Sequence, residues 1–154
     1  MKLTENLSLA EVTYSATALR KGIANEPTVT HLINLKAVAK NIFQPCRDYF
    51  GKPLAVTSGY RSKALNDLIS GSAKSSQHCK GEALDLDAQV FGGFTNLELF
   101  LYIKDHLSFD QLIGEFPDNM GEYAWVHCSY KEEGNRGEVL VAYKADGETR
   151  YKRL

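Results

Sequence analysis

The densest run of chemistry-bearing side chains is SSQHCKGEALDLD, from Ser75 to Asp87. His78 and Asp85 stand seven positions apart in it. His78 closes a polar loop, Gly81 permits a tight backbone path, and Asp85 falls on the strand that follows. An imidazole and a carboxylate converging from two pieces of backbone suit Zn²⁺. A third ligand is then expected from elsewhere in the chain. There are four histidines: His31, His78, His106 and His127. His31 and His106 fall on expected helices, where packing or solvent exposure is the default reading. His127 lies in AWVHCSY, a strand flanked by apolar residues. A lone strand histidine is ordinarily structural, but beside His78 and Asp85 it completes a His–Asp–His set.

These residues need elements to position them. Ser8 is placed to cap a short helix through Leu9–Val12. Gly22–Pro27 reads as a connector, with Pro27 as the first residue of the next helix. Residues 28–50 carry a helical period through Val29, Leu32, Ile33, Leu35, Val38, Ala39, Ile42 and Phe43. Pro45 should kink that helix or end it near Gln44. Leu54–Thr57 is a short strand, and residues 62–69 form a helix capped by Ser62. Ser70–Gln77 is a loop and Ala83–Val90 a strand, broken at Gly92–Gly93. Thr95 and Glu98 make a capping box for a helix running to about Leu107. Phe109–Glu115 and Ala124–Tyr130 pair as a hairpin around Pro117–Gly121. Glu138–Tyr143 is a last strand. Helices first and strands later give an α+β fold with a small antiparallel sheet and helices packed on it.

The 154 residues suffice for one domain, with residues 1–50 a mainly helical N-terminal part and 53–154 a catalytic core. Hydrophobic residues are 44% and charged residues 24%, values that exclude disorder. The net charge of -1 does not announce nucleic acid or an anionic membrane. No apolar run spans a bilayer, and MKLTENLSLAEV lacks the h-region of a secretory signal. Three cysteines exclude a complete disulfide framework. Cys79 and Cys128 each adjoin a candidate ligand histidine. Strand parity turns Cys128 toward the core, and Cys46 near the end of the long helix needs no special role.

TSGYRSKALN at 57–66, SSQHCKGEALDLD, FDQLIGEF at 109–116 and WVHCSY at 125–130 occur in that order. The set resembles the zinc D-Ala-D-Ala carboxypeptidase and murein endopeptidase family, peptidase family M15. It is most similar to the small single-domain branch of phages and prophages. The resemblance implies a Hedgehog/DD-peptidase-like fold and one Zn²⁺ on His78, Asp85 and His127. Three protein ligands leave a fourth position open, the catalytic pattern. It further implies peptidoglycan stem peptides as substrate, cleaved by D,D-carboxypeptidase or L-Ala-D-Glu-type endopeptidase action. No nucleic acid or membrane insertion is implied, and a monomer is expected. Without a signal, such an enzyme waits in the cytoplasm for phage-mediated release or travels in the virion.

Hydrolysis needs a base for the water proton. Some branches of the family carry an acid three residues before the last zinc histidine, where this chain has Ala124. Glu115 and Glu122 are the candidates. If 109–116 and 124–130 pair, setting Glu115 opposite Trp125 or His127 puts its carboxylate on the His127 face. Glu122 falls in the turn. The family's small branch also carries its glutamate in this FDQLI-x-E setting, so Glu115 is assigned as base. The resemblance gives Arg61 the stabilisation of the oxyanion at the scissile carbonyl. Ser76 and, more weakly, Gln77 match polar positions that contact substrate. Tyr60, Tyr123 and Trp125 are read as cleft aromatics against a core alternative. Asp87 shares the Asp85 face and is read either as support for a ligand histidine or as a strand-edge charge. A competing reading keeps the scaffold but makes it a non-catalytic, zinc-stapled peptide-binding or phage structural module. The presence of both Glu115 and Arg61 favours the enzyme.

Overall fold

Capping chemistry organises the helical half of the molecule. The computed structural model describes residues 1–69 and 72–154. An antiparallel pair, β1 (Lys2–Thr4) and β2 (Leu7–Ser8), leads into α1 (Leu9–Thr13). Ser8 and Glu11 close a full capping box there, with the Ser8 N–H donating to Glu11 Oε2 at 2.7 Å. Ser15 caps α2 (Ala16–Lys21), a helix not anticipated from sequence.

The next helix, α3 (Val29–Val38), begins two residues later than the expected start at Pro27. Thr28 is its N-cap, accepting the His31 N–H, so Pro27 lies outside the helix. The helical path does not end at Pro45. A π turn over Ala39–Phe43 carries it into α4 (Gln44–Phe50), with Pro45 in the first turn. The Gln44 N–H bonds back to the Ala39 carbonyl, and Asn41 Nδ2 donates to the Ala37 carbonyl at 2.8 Å. The wider turn lets a proline that donates no hydrogen bond be accommodated. Gly51 closes α4 in the left-handed conformation.

The rest builds the main sheet. The chain continues through β3 (Ala55–Ser58), α5 (Lys63–Leu68), a 3₁₀ turn (Gln77–Lys80), β4 (Ala83–Asp87) and α6 (Asn96–His106). Then follow β5 (Gln111–Glu115), β6 (Trp125–Ser129), β7 (Glu138–Ala145) and β8 (Glu148–Arg153). Ser70 and Gly71 of the expected loop lie outside the described residues. The order across the sheet is β3-β4-β6-β5-β7-β8. Every pairing is antiparallel except β5 with β7.

The fold is therefore α+β, as expected. Its principal sheet is mixed and wider than anticipated, because β7 returns parallel to β5 and β8 had not been foreseen. Strand β4 stops at Asp87 rather than Val90. The Asp87 carboxylate accepts the Gln89 N–H at 2.9 Å and turns the chain away.

One sheet face is the core. Leu84, Leu86, Leu112, Val126 and Cys128 are fully buried there, within a cluster that includes Val38, Ile42 and Phe43 of the long helix and Leu99, Phe100 and Ile103 of α6. Burying each such aliphatic or aromatic side chain stabilises the fold by about 1.5–3 kcal/mol. The alternate residues, Asp85, Ile113, Glu115, Trp125 and His127, point to the opposite, open face, which lines a cleft. Cys128 belongs to the core, as strand parity suggested, and so does Cys46.

Candidate active site

Two adjacent strands and one turn bring the histidines and the aspartate together. Asp85 on β4 lies directly opposite His127 on β6. His78 arrives from the 3₁₀ turn. Ser76 starts that turn by accepting the His78 N–H at 3.2 Å, and Gly81 ends it in the left-handed conformation at φ +74°. A Cβ at Gly81 would come within 2.6 Å of the His31 carbonyl oxygen. The tight turn thus docks on α3 only through glycine. The His78 Nδ1–H donates to the Gly59 carbonyl at 2.7 Å, which fixes the tautomer and aims Nε2 at Asp85.

His78 Nε2 is 3.3 Å and His127 Nδ1 3.0 Å from the same Asp85 oxygen, Oδ1. The three residues offer ligand atoms within 4.8 Å of one another. Ligands held about 2.0–2.1 Å from a tetrahedral zinc stand about 3.3 Å apart, so the donor set fits that ion. The other Asp85 oxygen, Oδ2, faces Arg61 Nη2 at 3.5 Å. Burial would by itself raise the Asp85 pKa, but His78 and His127 beside it hold the carboxyl well below the usual carboxylate range. Burial pushes the His78 imidazole down, against the pull of Asp85. An ionised carboxylate and a neutral imidazole are the protonation states that metal ligation uses.

Glu115 pairs with Trp125, and Ile113 with His127, so Glu115 lies one step along the sheet on the His127 face. It is only 9% exposed. Burial pushes its carboxyl up to about 7; His127 opposes that rise and Asp85 adds to it. A carboxylate with that pKa is suited to take and return a proton near neutrality. Glu122 is otherwise occupied. Its Oε1 accepts the Leu97 N–H at 2.8 Å, in the first turn of α6.

Arg61 is held in place by side chains that the sequence reading did not identify. Its Nε donates to Ser58 Oγ at 3.1 Å and its Nη1 to Asn66 Oδ1 at 3.3 Å. Asn66 is itself buried and bonds onward to the Ala73 carbonyl. A single asparagine in a short helix carries no distinguishing sequence signal.

Ser76, Gln77 and Trp125 all line the cleft, whose volume is about 850 Å³. Tyr60 does not. It is 6% exposed in the core cluster, with its ring 5.0 Å from that of His31, so the substrate-contact reading is corrected to a packing one. Tyr123 is likewise a core residue, packed over Gly114, where its ring fills the place of a Cβ. Asp87 supports neither ligand histidine. It accepts from Asn96 Nδ2 at 3.0 Å, and Asn96 also bonds the Tyr123 carbonyl. His31 and His106 stay outside the cluster: His31 closes the α3 capping box and His106 packs at a tilt against Tyr102. Cys79, half-buried, is not part of the three-residue group.

A His–Asp–His group on the open face of a sheet, with a buried glutamate beside it, is the equipment of a metal-dependent hydrolase. The family model described as Peptidase M15 matches residues 5–129, and the chain belongs to that peptidase family. No curated protein matches the chain. Among the described residues, no helix is long and apolar enough to cross a membrane.

Proposed function

We propose that this protein is a zinc-dependent peptidase that hydrolyses peptide bonds in peptidoglycan stem peptides. The observation that carries the reading is the shared face of Asp85, His127 and Glu115, with His78 and Arg61 closing on the same carboxylate. His78 Nε2, Asp85 Oδ1 and His127 Nδ1 would hold one Zn²⁺. When bound, zinc supplies Lewis acidity, which polarises a carbonyl and lowers the pKa of water to about 7.

Glu115 takes the proton of the attacking water as its oxygen bonds to the scissile carbonyl carbon. It returns that proton to the amine nitrogen as the C–N bond breaks. The Arg61 guanidinium, steadied by Ser58 and Asn66, is the donor for the oxyanion that develops. Ser76, Gln77 and Trp125 line the cleft and are the candidate substrate contacts. The enzymatic reading is favoured over a zinc-stapled binding or structural module because Glu115 is buried beside the cluster at a desolvation cost that a purely structural site does not require.

The bond cleaved is either the terminal D-Ala-D-Ala bond or the L-Ala-D-Glu bond. A phage or prophage lytic role accords with either, the protein reaching the wall after release or within a particle. The test is digestion of purified muropeptides by the zinc-loaded protein, with mass analysis of products. Loss of one D-Ala marks a carboxypeptidase, and scission after L-Ala marks an endopeptidase. Unchanged muropeptides would contradict the peptidase reading.

A further inference from the structure

The sheet continues past Glu115 into strands that lie beyond the family match at residues 5–129. One row of the register runs Trp125, Glu115, Ala142, Tyr151 across β6, β5, β7 and β8. Ala142, between Glu115 and Tyr151 in that row, is fully buried. Tyr151 is 55% exposed and lines the cleft. Burial raises its pKa, as does the Glu115 charge, so its hydroxyl remains a donor.

Lys144 and Thr149 face each other two residues further along β7 and β8, and both line the cleft. Lys144 Nζ donates to Thr149 Oγ1 at 2.9 Å and stands 5.5 Å from the centroid of the Phe116 ring. Phe116 adopts φ 51°, a strained conformation for an aromatic residue. That backbone sets its ring edge-on to Trp125 at 5.4 Å, between the indole and the ammonium.

The other cleft cations near the sheet already have carboxylates. Arg61 faces Asp85, and Lys131 and Arg136 both bind the buried Asp110. Lys144 has no carboxylate within 4.0 Å among the described residues. Strand geometry puts its Cα about 8 Å from that of Glu115.

We propose that Lys144, with the Thr149 and Tyr151 hydroxyls, forms a subsite on β7–β8 that binds a carboxylate of the substrate peptide beside Glu115. Phe116 and Trp125 form its apolar floor. The ammonium donates to an acidic group, the Thr149 hydroxyl that accepts from it keeps its own O–H to donate, and Lys144 itself is paired with no carboxylate among the described residues. The inference rests on the peptidase reading and deepens it, since stem peptides carry free carboxylates and an acidic peptide would be selected over its amide.

Trp125 is the single tryptophan of the chain, so intrinsic fluorescence reports from the subsite itself. The zinc-loaded Glu115→Gln protein is titrated with a stem tetrapeptide whose carboxylates are free, and with the same peptide fully amidated. The free peptide should bind about tenfold more tightly. Adding Lys144→Met should bring the two within about twofold, while Lys80→Met, at the end of the 3₁₀ turn that also lines the cleft, should leave the preference intact. Equal binding of the two peptides, persistence of the preference in Lys144→Met, or binding of neither at millimolar concentration would overturn the subsite. Hydrolysis by the wild type without a carboxylate preference would refute the subsite alone. A preference without hydrolysis by the wild type would refute the peptidase reading alone.

Discussion

Glu115→Gln should stabilise the metal-free protein, and only above acidic pH. Burial raises the Glu115 carboxyl from 4.5 to about 7. A carboxyl whose folded pKa is raised favours the folded state in its protonated form. Below about pH 4.5 it is protonated in both states and contributes no pH-dependent difference. Between 4.5 and 7 the folded state binds more protons than the unfolded chain, so stability falls as pH rises. Above 7 the loss is complete. A shift of about 2.5 units corresponds to about 3 kcal/mol, since each unit is worth about 1.4 kcal/mol.

Glutamine keeps the shape without the charge. The variant should therefore gain up to about 3 kcal/mol over wild type at pH 8 and lose that advantage at pH 4. For a chain of this size that is a difference in Tm of roughly 6–12 °C. The assay is thermal or urea unfolding of both proteins from pH 4 to 8.5 with a chelator present. A stability difference that does not change with pH would refute the desolvated-carboxylate argument. So would a wild type that is more stable than the variant at pH 8.

Three further outcomes follow from the same geometry. Asp85→Asn and His127→Ala should each drop zinc content from one ion per chain to below about a tenth after dialysis, read by elemental analysis. Arg61→Met should lower kcat on stem peptides by about 10²-fold or more while zinc content stays at one per chain, because the guanidinium serves the developing oxyanion. Gly81→Ala should cost about 2 kcal/mol or more in urea unfolding, since the residue needs a positive φ and a Cβ would meet the His31 carbonyl.

The site was more legible in the sequence than the sheet that carries it. His78 and His127 stand out because the chain has only four histidines, and Asp85 because it follows His78 closely; each sits where a turn or a strand could be read. Glu115 followed from parity, which the observed pairing of Glu115 with Trp125 satisfies. Tyr60 misled because an aromatic next to a candidate arginine looks like a cleft residue, whereas its burial depends on α1 and α3 packing from elsewhere in the chain. Strand β8 gave no signal, since all six of its residues are exposed and ETRYKR lacks a buried alternation. The parallel joining of β7 to β5 is a long-range choice that no local pattern encodes. The supports of Arg61, Ser58 and Asn66, lie only three and five residues from it, but a lone serine and a lone asparagine carry no signal that distinguishes them from ordinary turn and helix residues.

The central claim is that His78, Asp85 and His127 hold the metal while Glu115 moves the proton. Its most direct test is zinc content and muropeptide turnover measured together on the zinc-loaded Glu115→Gln protein. One zinc per chain with turnover reduced by 10²–10⁴-fold is the predicted result. Turnover within twofold of wild type at full zinc occupancy would contradict it.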